Sequence, residues 1–181
     1  MSQDRSSLTI PDDRLTVISG GQTGVDRAAL DAALQLAIPI AGWCPHGRRA
    51  EDGRIPHEYS LTETGPRNYA VRTEWNVRDS DGTLVIVLDS VSGGTGLTVK
   101  LARQHGKPLH VVRLLDKSAQ DQAENSPTLQ VQTVVDWMTT CKIRVLNVAG
   151  PRGSSDQRIY PLANQFCLAV LAAFVPIADH C

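Results

Sequence analysis

The stretch Val17-Ile18-Ser19-Gly20-Gly21-Gln22-Thr23-Gly24-Val25-Asp26 runs from an apolar segment through a glycine-rich turn to the start of a helical pattern. That is how a backbone builds an anion site. Glycine lacks a Cβ, so N–H groups come close to a ligand, while the following helix aims the positive end of its dipole at the same place. Gly20, Gly21 and Gly24 supply the permissive backbone, Gln22, Thr23 and Asp26 the polar side chains, and residues 21–23 are expected to touch the ligand. A second unit repeats the arrangement, with the apolar run at 83–88 leading through Asp89-Ser90-Val91 into Ser92-Gly93-Gly94-Thr95-Gly96. One glycine cluster serves equally well as a plain turn, but two strand–glycine–helix units in one small domain are harder to read that way. Asp26 reads either as a carboxylate for a ribose-like or pterin-like donor or as a simple N-cap.

Three further segments carry polar chemistry. The loop at 42–53 holds Trp43, Cys44, His46, Arg48 and Arg49, a ring for stacking beside a thiol, an imidazole and two guanidinium groups. Arginine suits phosphate because its planar fork donates in pairs, and Arg48 is taken as a ligand contact. Cys44 and His46 fall short of a closed metal site and read as an ordinary thiol beside a solvated imidazole, so no metal is expected. In the helical pattern at 68–78, Arg72 and Asn76 lie four apart on one face and are candidates to point at the ligand. The segment at 147–155 is a third strand-to-loop-to-helix transition in which Arg152 and two hydroxyls either complete an oxyanion pocket or merely lead into the last helix, capped by Ser154 or Asp156.

Short apolar runs at 15–18, 38–43, 84–88, 109–115 and 143–149 must supply the strands that place these loops. Continuous β-branched runs suit strands covered on both faces, as in a parallel sheet. They alternate with helical patterns at 26–37, 68–78, 96–105, 128–140 and 158–174, which predicts a doubly wound, mainly parallel α/β sheet. Gly106 before Lys107-Pro108 ends the third helix, and Pro127 suits the first turn of the fourth. Segment 45–66 has neither period and reads as a long functional loop, with one short extended piece at 58–61. In the flavodoxin-like strand order the first and third strands are neighbours, which would set both glycine loops beside one crevice.

With 181 residues the chain is expected to form one ligand-binding domain over 13–181 after a flexible terminus at 1–12. A formal net charge of −1, from 18 basic and 19 acidic side chains, excludes the electrostatic footprint of a general nucleic-acid binder. The four cysteines show neither zinc spacing nor disulfide density, and no secretory leader is seen, so reduced thiols and a cytoplasmic location are expected. The apolar run at 166–175 is well short of the ~20 residues that cross a bilayer as a helix. It reads as a buried helix or as the contact of a homo-oligomer, dimer or tetramer.

At Gly-Gly-Gln-Thr-Gly-Val-Asp (20–26), Gly-Trp-x-Pro-x-Gly-Arg-x-Ala-Glu-Asp-Gly (42–53) and Gly-Pro-Arg-x-Ser (150–154), the sequence resembles the molybdenum carrier (molybdenum cofactor carrier-like) family over about residues 15–175. That family is similar in turn to a Rossmann-like group containing the Lonely Guy and lysine decarboxylase-like phosphoribohydrolases. The resemblance implies a Rossmann-like three-layer sandwich. It also implies a carrier or storage protein for the molybdenum cofactor (molybdopterin), with molybdoenzymes as recipients, or alternatively a nucleotide N-glycosidic hydrolase or a sensor of a nucleotide-derived ligand. In the hydrolase pattern Arg72 matches the helix arginine, Asp81 an aspartate before the strand, and Gly93, Gly94 and Gly96 the glycines, but Ser92 replaces proline, Leu97 threonine and Lys100 the glutamate. A lysine supplies no negative charge to a developing oxocarbenium ion, so hydrolysis would need another carboxylate such as Asp26, Glu51 or Glu74. The sequence therefore favours a binder of a small phosphorylated anion that leaves its ligand unchanged.

Overall fold

A computed structural model describes residues 8, 10, 14–65, 69–114 and 126–175. The expected loose terminus, apart from 8 and 10, and the single positions Asn68, Leu115 and Cys181 lie outside the described residues. Strands β1 (Thr16–Ile18), β2 (Ile40–Ala41), β7 (Gly82–Val87), β8 (Leu109–Arg113) and β9 (Val145–Ala149) form one parallel sheet. Between β2 and β7 the chain makes four two-residue strands: β3 (Trp43–Cys44), β4 (Arg49–Ala50), β5 (Gly53–Arg54) and β6 (Thr62–Glu63). The helices are α1 (Val25–Gln35), α2 (Tyr69–Arg78), α3 (Gly93–Gln104), α4 (Pro127–Thr140) and α5 (Ile159–Phe174), with a 3-10 turn at Gly153–Ser155.

The apolar runs became central strands because they are covered on both sides, and every residue of β1 and β7 is buried. On one face α1, α4 and α5 pack together over Val17, Leu84, Ile86, Leu146 and Val148. On the other α2 packs against α3, with Val85, Val87 and Val99 between α3 and the sheet. The apolar α5 turns Ile159, Ala163, Phe166, Cys167, Val170 and Leu171 into that first core, which explains its composition without a second subunit. Helix ends follow the punctuation: Pro127 opens α4 behind Ser126, whose hydroxyl accepts from Leu129 N, and Gly106 follows α3 with φ 61°.

The strand order is β2-β1-β9-β7-β8, and this corrects the expected one. The last strand inserts between the strands carrying the two glycine loops, so these are not neighbours. Counted from β9 and then from the N-terminus, the order becomes 3-2-1-4-5, that of a Rossmann half, and its reversal point lies between β9 and β7. The expected second strand also splits. Gly42 has φ 136°, and a Cβ there would stand 2.2 Å from Ser19 O, so the chain bends away and β3 pairs with β6 instead. The expected extended piece at 58–61 is a turn, and the loop's order comes from β3–β6, from the hairpin β4–β5 and from a small core of Leu30, Cys44, Ile55, Tyr59 and Leu61.

Candidate functional site

At the carboxyl ends of β1, β9 and β7 lies a cavity of about 570 Å³. Both glycine loops reach it, with the β9 loop at 149–152 between them. Of the expected site residues, Gly20, Gln22, Asp26, Arg72, Asn76, Ser92, Gly93, Gly94, Thr95 and Arg152 line it, whereas Gly21, Thr23, Gly24, Arg48 and Gly96 do not.

The two glycine loops differ in kind. In the first, three amides are spent inside the protein: Gln22 N donates to Asp26 Oδ2 at 3.2 Å, Thr23 N to Gln22 Oε1 at 3.0 Å and Val25 N to Pro151 O at 3.2 Å. Gly24 is needed because a Cβ there, at φ 77°, would stand 2.4 Å from Pro151 O, so its role is to let the β9 loop close in. Gly21 faces Leu61 and Ile55 rather than the cavity. Of residues 21–23, expected to touch the ligand, Gln22 and Thr23 thus have their amides occupied within the loop. Gly24, not Asp26, is the N-cap of α1, so the capping alternative for Asp26 falls as well.

The second loop is open. Helix α3 begins at Gly93, three residues earlier than the sequence pattern placed it, so the glycines form its first turn. Gly96 N makes the first helical bond, to Ser92 O at 3.1 Å, and among the described residues nothing accepts from the N–H groups of Gly93, Gly94 or Thr95. A Cβ added at Gly93 or Gly94 would meet nothing within 4 Å. Thr95 is only 5% exposed and lines the cavity, and among the described residues its hydroxyl has no partner. Such a turn presents donors and a positive dipole end to a ligand oxyanion.

Arg72 lies across Gly20, where a Cβ would stand 1.5 Å from its Nη1. That nitrogen donates to Asp26 Oδ2 at 2.9 Å, and among the described residues the buried Nε has no partner. Burial pushes the Asp26 carboxyl above its ordinary value, and the Arg72 charge only partly offsets this. Asn147, buried on β9, donates to Thr83 Oγ1 at 3.2 Å and adds an amide to the same wall. Asp89, Asp156 and Glu51 also line it, so carboxylates outnumber the two guanidinium groups on its wall.

Several expected contacts do other work. Arg48 is 5% exposed and spends its guanidinium on the carbonyls of Ile55, Pro56, Tyr59 and Leu61 at 2.8–3.1 Å, knotting the 45–64 loop together. Trp43 is buried edge-on against Trp75 and donates its indole N–H to Asp79, so it does not stack on a ligand. Asn76 receives Trp43 N at 2.8 Å and donates to Trp43 O at 2.9 Å, which fixes α2 to β3 and thereby places Arg72. Asn76→Ala would strand both main-chain groups in a buried setting, and urea unfolding should show a loss of about 2 kcal/mol. Lys100 is exposed and absent from the cavity wall, so its charge does not bear on the ligand, and Glu74 sits outside the wall near His105. Neither Ser154 nor Asp156 caps α5 with its side chain; the N-cap is Arg158. Sequence reasoning missed Asn147 and Thr98 as wall residues: Asn147 is a polar break in an apolar strand, the one signal available, and Thr98 lies one turn beyond Gly94.

Cys44, Cys141 and Cys167 are free thiols, and among the described residues no cluster of His, Cys, Asp or Glu has the makings of a metal site. No described helix is long and apolar enough to cross a membrane.

The chain matches the circularly permutated YpsA SLOG family over residues 17–171. It belongs to that family. The permutation is what the sheet displays, since the strand order becomes that of a Rossmann half once the last strand is counted first. A solved structure from Syntrophus aciditrophicus SB, described as "Putative molybdenum carrier protein", is 41% identical, with 90% of this chain and 95% of that chain covered and a TM-score of 0.77. No curated protein matches the chain. For this SLOG chain the Rossmann-like α/β fold is thus established by sequence family and by structure together.

Proposed function

We propose that the protein binds a small phosphorylated ligand in the cavity and holds it unchanged, and that this ligand is the molybdenum cofactor. The observation that carries the reading is the open first turn of α3, where three unspent N–H groups and the Thr95 hydroxyl face a cavity large enough for a drug-sized molecule. Those donors would hold the phosphate. The ring of a pterin carries N–H donors, and Asp26 and Asn147 on the β1 and β9 side of the cavity are acceptors suited to it. The name given to the 41%-identical structure supports a molybdenum-related ligand. In this reading the protein is a cytoplasmic, homo-oligomeric carrier that delivers its cargo to molybdoenzymes.

Equilibrium dialysis of purified protein against molybdopterin tests the proposal. Saturable binding at one site per chain is expected, with molybdopterin recovered intact. No binding, with tight binding of a nucleotide instead, would overturn the assignment of the ligand.

One observation favours a second reading, as a nucleotide N-glycosidic hydrolase. Asp26 is a carboxyl with a raised pKa on the cavity wall, and so could serve as the acid that Lys100 does not supply. Incubation with a panel of nucleoside monophosphates and chromatography for free base separates the two readings. Release of base that Asp26→Asn abolishes would select the enzyme; an inert panel would select the carrier.

A further inference from the structure

The hairpin β4–β5 carries Glu51 and Asp52 at its tip, and both carboxylates are clasped. Asp52 pairs with Arg27 through both guanidinium nitrogens, Nη2 to Oδ1 being 2.8 Å. Glu51 is held differently. Its carboxylate accepts from the Thr23 hydroxyl, from Ser154 N at 2.9 Å and from Ser154 Oγ at 2.5 Å, and Arg152 Nε stands 3.9 Å away. Thr23 is oriented for this by Gly153 N, which donates to its Oγ1 at 3.0 Å. Burial alone would raise the Glu51 carboxyl, but the hydrogen bonds from Ser154 and Thr23 outweigh it and hold it below its ordinary value.

We infer that Thr23, Ser154 and Arg152 form an oxyanion subsite for a second anionic group of the ligand, with Glu51 as its tethered competitor. Two hydroxyls, a main-chain N–H and a guanidinium converging on one point are the donor set of a phosphate, a carboxylate or a tetrahedral oxometalate. A surface clasp needs much less, as the Asp52–Arg27 pair on the same hairpin shows. The position lies beside the cavity: Glu51 and Arg152 line it with the α3 turn, Thr23 and Ser154 do not line it but hold the Glu51 carboxylate that does, and the Ser154 loop follows β9, the strand where the sheet order reverses. Displacement calls only for the Glu51 side chain to turn away, because the hairpin itself is held by the Asp52–Arg27 pair and by Glu51 N, which donates to Gln22 Oε1 at 2.9 Å. Exchange of one anion for another keeps the donors paired, and the Glu51 carboxylate released from them regains water. The inference rests on the reading above in that the ligand seated on α3 carries the second group.

The test is a titration of ¹⁵N-labelled protein with inorganic phosphate, followed by amide shifts in the wild type and in Glu51→Ala. In the variant the Thr23 and Ser154 amides should shift saturably at a phosphate concentration at least tenfold lower than in the wild type. Adding Ser154→Ala to Glu51→Ala should raise that concentration again. Should Glu51→Ala not fold, Glu51→Gln keeps the acceptor and removes the charge, and must give the same direction of change. Equal concentration dependence in wild type and variant, or no response at Thr23 and Ser154, overturns the subsite. Silence at Gly93, Gly94 and Thr95 with a response at Ser154 leaves the subsite standing and removes the phosphate role of α3; the reverse pattern does the opposite.

Discussion

Gly93→Asp should abolish ligand binding while leaving the fold intact. The substitution sets a carboxylate among the three open N–H groups of α3, where it satisfies them internally and repels the incoming anion. Gly93 has φ 52°, and a Cβ there meets nothing within 4 Å, so the variant carries only the modest cost of an aspartate in the left-handed region. Like-charge juxtaposition costs several kcal/mol, and every 1.4 kcal/mol is tenfold, so affinity for molybdopterin should fall by at least ~100-fold. Dialysis gives the affinity, and circular dichroism with thermal melting gives the fold. Gly93→Ala is the matching control, since it adds a methyl group without charge, and it should lose much less affinity than the aspartate.

Arg72→Ala should be the most destabilising single change at the site at neutral pH. Asp26 is 5% exposed, and Arg72 is its only cationic partner among the described residues. Removal of one member of a buried pair leaves an uncompensated charge and costs about 3 kcal/mol or more. The pH dependence follows from the direction of the Asp26 shift. A carboxyl whose folded pKa lies above its unfolded value binds more protons when folded, so stability falls as pH rises from the unfolded value through the folded one. Loss of Arg72 removes the largest lowering influence and extends that window upward. The deficit of Arg72→Ala relative to wild type should therefore be large at pH 7 and shrink as pH falls, because protonation of Asp26 removes the buried charge from both proteins. Asp26→Asn placed in Arg72→Ala should restore most of the loss at pH 7, because no buried charge remains. Urea unfolding of the three proteins across pH measures both effects, and a pH-independent deficit would show that Arg72 acts through packing alone.

How far the sequence could be read depended on how local each feature is. The β-branched runs at 84–88 and 143–149 and the helix punctuation at Pro127 and Gly106 are set by neighbouring residues, and those elements appear as expected. Strand order is not local. Five alternating strands and helices are compatible with several orders, and a permuted chain puts its last strand where an unpermuted one puts its first, so the insertion of β9 between β1 and β7 left no trace in periodicity. The shared crevice was expected from a neighbour relation that does not hold, and both glycine loops reach one cavity because a single strand, β9, separates β1 from β7. Side-chain roles were harder still. Arg48 and Arg72 have the same chemistry, yet one serves four carbonyls of its own loop and the other lies over Gly20 in the cavity, a distinction made by the bend at Gly42 and by the Asn76 anchor. The first glycine loop shows the same difficulty: Gln22 and Asp26, the polar residues that suggested ligand contacts, line the cavity but also turn back and occupy the amides of Thr23 and Gln22.

The central claim is that an oxyanion of the ligand rests on the first turn of α3, and the most direct measurement is a crystal structure of the protein grown with molybdenum cofactor. Phosphate density within hydrogen-bond distance of the N–H groups of Gly93, Gly94 and Thr95, with the anomalous signal of molybdenum inside the same cavity, is the expected result. A cofactor bound outside that cavity, or seated with its phosphate away from α3, would contradict the account.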